Sequence, residues 1–158
     1  MVWHYSAWAK LPAIVKSCEL RGSNVGADGE KPMLWFSANQ QWEPTATKDV
    51  INNRGERVHL TFKQQADRFG CIRFGLDADD IRLMKWKVAC AYAGTPRETH
   101  RTLEKVGRKE GGDPAQWFAT SAFILLDELH FQLWHEGWHD TTSPQDMAEV
   151  WEAHHAGA

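Results

Sequence analysis

Leu129-His130-Phe131-Gln132-Leu133-Trp134 is the stretch on which the fold class turns, because it can be read with two periods. Leu129, Phe131 and Leu133 alternate with His130, Gln132 and Trp134, the two-residue period of a half-buried strand. Leu125, Leu129 and Leu133 compete with a helical spacing. Read as a strand, the stretch pairs with a second strand over residues 123–126, joined near Asp127 and Glu128. The last third of the chain then belongs to a sheet.

Working outward, residues 2–5 form a short β-prone segment, and Ser6 is a plausible N-cap for a helix reaching about residue 20. Leu11, Ile14, Val15 and Cys18 give that helix one apolar face, and Gly22 stops it. Residues 21–32 read as a loop long enough to cover a site, followed by an apolar strand over 33–36. Asn52, Asn53 and Gly55 mark a turn before a possible strand at 57–60, and Thr61 caps a short helix through Arg68. Residues 71–76 have strand character, with Ile72 and Phe74 on one face and Arg73 on the other. Residues 77–80 are an acidic loop, and residues 86–93 suit a short helix. Thr95-Pro96-Arg97-Glu98 reads as a capping box with proline at the first helical position, opening a helix to about residue 108. Ser143 starts a C-terminal helix with Met147, Val150 and Trp151 on one face. This order predicts an α+β fold, a mainly antiparallel sheet with flanking helices, over a single domain of residues 1–158.

Composition narrows the class. With 158 residues, 42% hydrophobic and 25% charged, the chain can bury one core and is neither disordered nor collagen-like. No apolar run is long enough to span a membrane, and residues 1–10 lack the pattern of a secretory signal, so a cytoplasmic location is expected. A net charge of -3 excludes a global basic field for nucleic acid. Cys18, Cys71 and Cys90 are odd in number and widely spaced, which predicts reduced, mostly buried thiols. Nine Trp stand out, since indoles fill cores and also stack on planar ligands.

Several of these residues suit a nucleotide site. His4 can donate to ribose hydroxyls from a strand end, Ser6 and Ser37 can bond sugar or amide groups, and Trp35 or Trp42 can stack on a flat ring. At His4-Tyr5-Ser6 and Trp35-Phe36-Ser37 the chain resembles the ADP-ribosyltransferase superfamily of the His-Tyr-Glu class, which includes poly-ADP-ribose polymerases and diphtheria-like toxins. That class opens with a His-bearing strand and continues with an aromatic strand ending in Tyr-Phe-Ser or Tyr-Phe-Ala. The likeness covers roughly residues 2–48, with Trp35 in the first aromatic place.

The resemblance implies a split antiparallel sheet that clamps NAD and transfers ADP-ribose to an acceptor, here unidentified, with release of nicotinamide. It implies a cofactor-binding set of His4, Tyr5, Ser6, Trp35, Phe36, Ser37 and Trp42, with His4 on the adenine-side ribose and Trp35 on nicotinamide. A carboxylate is needed to stabilise the positive charge at the ribose carbon. Glu128 offers one on the C-terminal strands, Glu136 a less plausible one in a turn, and Glu43 one just after the aromatic strand. A binding-only protein on the same scaffold is the alternative.

Other patterns compete. His135-Glu136-Gly137-Trp138-His139 spells H-E-x-x-H, a zinc-hydrolase pattern that requires a helix and draws a third ligand from Glu149 or Glu152. Gly137 at its centre costs a helix about 1 kcal/mol relative to Ala, and a hairpin turn explains the same letters. His59-Leu60-Thr61 and His100-Arg101-Thr102 are H-x-T triplets of the kind two-histidine phosphoesterases carry on strands. Arg101, Lys105, Arg108 and Lys109, with Arg97 a turn earlier, form a basic stripe that is either a solvated face or the contact for a phosphate-bearing partner.

Overall fold

A computed structural model describes residues 1–144, 146 and 147. In chain order its elements are β1 (Val2–Ser6), α1 (Leu11–Ser17), β2 (Glu19–Leu20), β3 (Leu34–Ser37), β4 (Asp49–Ile51), β5 (Arg57–His59) and α2 (Phe62–Phe69). They continue with β6 (Ile72–Leu76), β7 (Met84–Lys85), α3 (Trp86–Ala93), α4 (Arg97–Lys109), β8 (Trp117–Thr120), β9 (Ile124–Leu125), β10 (His130–Trp134) and β11 (Trp138–Thr141). Seven strands form one sheet in the order β11-β10-β6-β1-β3-β8-β7, with every registered pair antiparallel. The fold is therefore mixed α and β around a mainly antiparallel sheet. No described helix is long and apolar enough to cross a membrane.

The strand reading of Leu129 to Trp134 holds from His130 onward: Phe131 and Leu133 are buried, while Gln132 and Trp134 on the other face are half-buried. Its partners differ from those expected. β10 pairs with β6 and β11, whereas Ile124–Leu125 turns away to pair with β2. Tertiary pairing decided this, because two short apolar strands close in sequence carry no label of their partners.

β6 lies between β1 and β10, and all five of its residues are buried. Ile72 and Phe74 join Val2, Phe36, Phe131 and Leu133 in the larger core, capped by Leu11, Leu20, Ile124 and Met147. On the opposite face Arg73 is buried too, its guanidinium held between the rings of Trp3 and Trp138 at 4.0 Å from each. Gly75 is required there, since a Cβ would come within 2.6 Å of the Trp3 ring.

Several local expectations are corrected. Ser6 ends β1 and caps nothing; a 3-10 turn at Trp8–Lys10 leads into α1, which stops at Cys18 in the left-handed region (φ 57°), ahead of Gly22. Thr95 does not cap α4. The N-cap is Pro96 without a side-chain bond, and the Thr95 hydroxyl donates to Glu30 Oε2 at 2.5 Å. Thr61 does cap α2, in a reciprocal box with Gln64. Cys18 is exposed, while Cys71 and Cys90 are buried. The C-terminal helix from Ser143 falls mostly outside the described residues.

The zinc spelling also resolves. His135 and His139 flank the turn between β10 and β11, with Glu136 at φ 54°, so they sit on a hairpin and not on a helix face. His139 Nε2 bonds the His135 carbonyl at 2.7 Å. Among the described residues no group of three or more His, Cys, Asp or Glu is placed to hold a metal. Glu149 and Glu152 lie outside those residues. Of the H-x-T triplets, His59 is on a strand but Thr61 is the cap, and His100 is inside α4.

Candidate functional site

A cleft of about 600 Å³ opens on the face of the sheet that carries Trp35. That volume falls in the range of small-molecule sites. Its floor comes from β1 and β3, one wall from residues 43–46, the other from α3 and α4, and its rim from Gly26, Ala27 and Glu30 of the glycine-rich loop. The loop is tied down by the Glu30–Thr95 bond and by Lys31 N–H donating to the Ala93 carbonyl. The expectation that residues 21–32 cover a site is consistent with this position.

The indole rings of Trp35, Trp86 and Trp117 run in series along the cleft, with centroid separations of 5.2 Å and 5.0 Å. Trp86 is oriented from α4: its Nε1–H donates to Glu104 Oε1 at 2.9 Å, and His100 Nε2 meets the same oxygen at 3.1 Å. Close approach of α4 depends on Gly107, where a Cβ would fall 2.3 Å from the Trp117 ring. Leu103 and Val106 line the cleft yet each stays 46% exposed, so an apolar wall is left uncovered.

Glu43 is the buried carboxylate of the cleft, at 5% exposure. Its Oε2 accepts from the Ser37 hydroxyl at 2.7 Å, and its Oε1 accepts from the Thr45 hydroxyl at 2.7 Å and the Thr45 amide at 3.3 Å. These donors are all neutral. The Pro44–Ala46 turn, with Glu43 as its N-cap, is what brings the side chain back under β3.

His4 takes a different place from the one expected. β1 registers with β3 at Trp3 and Ser37 and with β6 at His4 and Phe74, so alternation puts His4 on the face of Phe36 and Phe74. Its ring lies 5.9 Å from Phe36 and 6.4 Å from Phe74. Trp35, one residue before Phe36, faces the other way. Strand β3 is therefore read from opposite sides by these two side chains, although both border the cleft. Burial pushes the His4 pKa down, which keeps the ring neutral, and Nδ1 meets the Trp35 carbonyl at 2.9 Å. A carbonyl only accepts, so Nδ1 carries the proton and Nε2 is left as an acceptor. The ring N–H is therefore committed to the Trp35 carbonyl, and the expected donation from His4 to a ribose hydroxyl is not available from it.

Of the other expected site residues, Tyr5, Phe36 and Ser37 border the cleft with Trp35 and Glu43, while Ser6, Trp42 and Glu128 do not. Tyr5, whose phenol burial pushes up to about 12, donates to the Asn39 carbonyl at 3.1 Å. Trp42 stacks on Phe62 at 4.3 Å and meets Tyr5 at 4.6 Å, forming part of an aromatic cluster beside the cleft. Glu128 is paired with Arg82 at 2.7 Å, which holds its carboxyl below the usual range. Cys90 lies in the wall, and burial raises its thiol to about 11.

Sequence reasoning missed Trp86, Trp117, Glu30 and Glu110 in the lining. The spacing of His100 and Glu104 was a faint signal that α4 carries a polar clasp facing inward. The basic residues Arg101, Lys105 and Arg108 are exposed, each two positions along α4 from the cleft-lining Thr99, Leu103 and Val106 and so on the opposite side of the helix. Arg108 is 3.9 Å from Asp113. Compared with protein-family models, with curated proteins and with solved structures, the chain matches none.

Proposed function

We propose that the cleft binds NAD by its nicotinamide end and supports transfer of ADP-ribose to an acceptor, on a split-sheet scaffold of the ADP-ribosyltransferase kind. The observation that carries this reading is Glu43, a buried carboxylate without a basic partner, at the foot of an indole-lined cleft. Breaking the bond between ribose and nicotinamide sends the bonding pair to the ring nitrogen, so neutral nicotinamide leaves and positive charge develops at the ribose carbon. A carboxylate held in place before the reaction stabilises that charge with little reorganisation. The acceptor's nucleophile then bonds to the ribose carbon and gives up its proton.

In this reading the nicotinamide packs on Trp35, which Trp86 backs at 5.2 Å, and Ser37 and Thr45 fix Glu43. His4 is a positioning residue: by holding the Trp35 carbonyl it sets where β3 runs as the β1–β3 ladder opens past Trp3 and Ser37. A binding-only protein on the same scaffold predicts nucleotide binding without turnover.

Incubation of the purified protein with NAD, with nicotinamide release followed by chromatography and binding by thermal shift, tests both forms. Release supports transfer. A thermal shift without release leaves the binding-only form, and neither shift nor release overturns both.

A further inference from the structure

We infer that the cleft selects a positively charged organic ring over its uncharged counterpart. The inference rests on this cleft being the ligand site, and not on the chemistry proposed for it.

The argument is one of charge balance. Glu43 is 5% exposed and is held by neutral donors from Ser37 and Thr45. A buried carboxylate is costly without a countercharge, even when its oxygens accept hydrogen bonds. None of the ion pairs among the described residues involves Glu43, Glu30 or Glu110, the carboxylates of the lining. No Lys or Arg stands among the described lining residues. Lys48 and Arg73 act on the lining residues His4 and Tyr5 from outside the cleft, but neither forms an ion pair with Glu43, and the basic row of α4 is offset from the helix positions that line the cleft. Burial keeps His4 neutral, so it supplies no charge either.

The walls point the same way. Indole faces attract a cation through the ring quadrupole, most strongly where water is excluded. Trp35 is the half-buried indole that borders the cleft, and the buried Trp86 and Trp117 back it in series. The half-exposed Leu103 and Val106 leave an apolar surface for the body of the ligand. A flat ring with a delocalised positive charge satisfies both features. A free phosphate satisfies neither, and the carboxylates repel it.

The probes are N-methylnicotinamide chloride and nicotinamide, which share a ring and differ in charge, each titrated calorimetrically into the intact protein. The cation is expected to bind at least about tenfold more tightly, the scale of a desolvated cation–π contact joined to a carboxylate. Glu43→Gln is expected to abolish the preference. Because Glu43→Gln disturbs a buried group, the double variant Glu30→Gln/Glu110→Gln at the rim provides a second test, with the preference expected to fall about threefold. Equal affinities, tighter binding of nicotinamide, or no binding of either compound overturns the inference. So does a preference unchanged in a natively folded Glu43→Gln protein or in the rim variant. Nicotinamide release from NAD is scored separately: selectivity without release removes transfer and keeps the inference, and release without selectivity does the reverse.

Discussion

The Ser37 hydroxyl donates to Glu43 Oε2 across a distance of 2.7 Å, with both residues buried. This bond joins the end of β3 to the turn that follows it and fixes the one deeply buried carboxylate of the cleft. Its removal leaves a buried charged oxygen short of a donor. Ser37→Ala is expected to destabilise the protein by about 1–3 kcal/mol. Adding Glu43→Gln to Ser37→Ala is expected to recover part of that loss, measured by urea unfolding; an unchanged midpoint in Ser37→Ala sinks this account.

Glu104 is expected to act on the cleft through Trp86, whose N–H it accepts at 2.9 Å. Glu104→Ala frees the indole and should weaken ligand binding about fivefold, the worth of one ordinary hydrogen bond. Glu104→Gln keeps an acceptor and should restore most of the affinity. Equal losses in the two variants, measured by titration with N-methylnicotinamide, would show that positioning of Trp86 is not what Glu104 does.

Gly107 is expected to resist substitution although alanine is the better helix former by about 1 kcal/mol. The added Cβ meets the Trp117 ring at 2.3 Å, so Gly107→Ala should cost about 1–3 kcal/mol of stability through overpacking. Trp117→Phe removes the ring atoms in the way, and the double variant should lose less than the sum of the single changes. Additive losses in thermal unfolding would contradict the clash.

His4 makes stability depend on pH. Its folded pKa is pushed below the ordinary 6.5 by burial, so the unfolded chain takes up its proton first as the pH falls. The contribution is complete above about pH 6.5 and declines as the pH drops from there toward the folded value. The melting temperature should therefore fall between pH 7 and pH 5, and His4→Gln should flatten that slope. A slope unaltered in His4→Gln would assign the acid sensitivity to another group.

Where the sequence was informative, the information was local. The cap at Thr61 and the helix over Trp86–Ala93 rest on bonds within a few residues, and the alternation from Phe131 to Trp134 is a two-residue period carried by the strand itself, so these signals survive in one dimension. Thr95 misled for the opposite reason. Its hydroxyl suits a cap by spacing, but Glu30 arrives from the glycine-rich loop and takes the hydrogen bond instead. For the H-E-x-x-H letters the hairpin reading holds, since the same five residues span the turn between β10 and β11.

The sequence by itself determined which residues were available: aromatic rings in excess, a strand ending in Trp35-Phe36-Ser37, and Glu43 six positions beyond that Ser. Only the tertiary structure decided which of them meet. Pairing of β1 with both β3 and β6 turned His4 toward Phe74 and left Trp35 on the other face, and packing of α3 and α4 brought Trp86 and Trp117 to the cleft. The physical reason is that strand register sets which face a side chain occupies, and register is chosen by contacts between segments far apart in the chain.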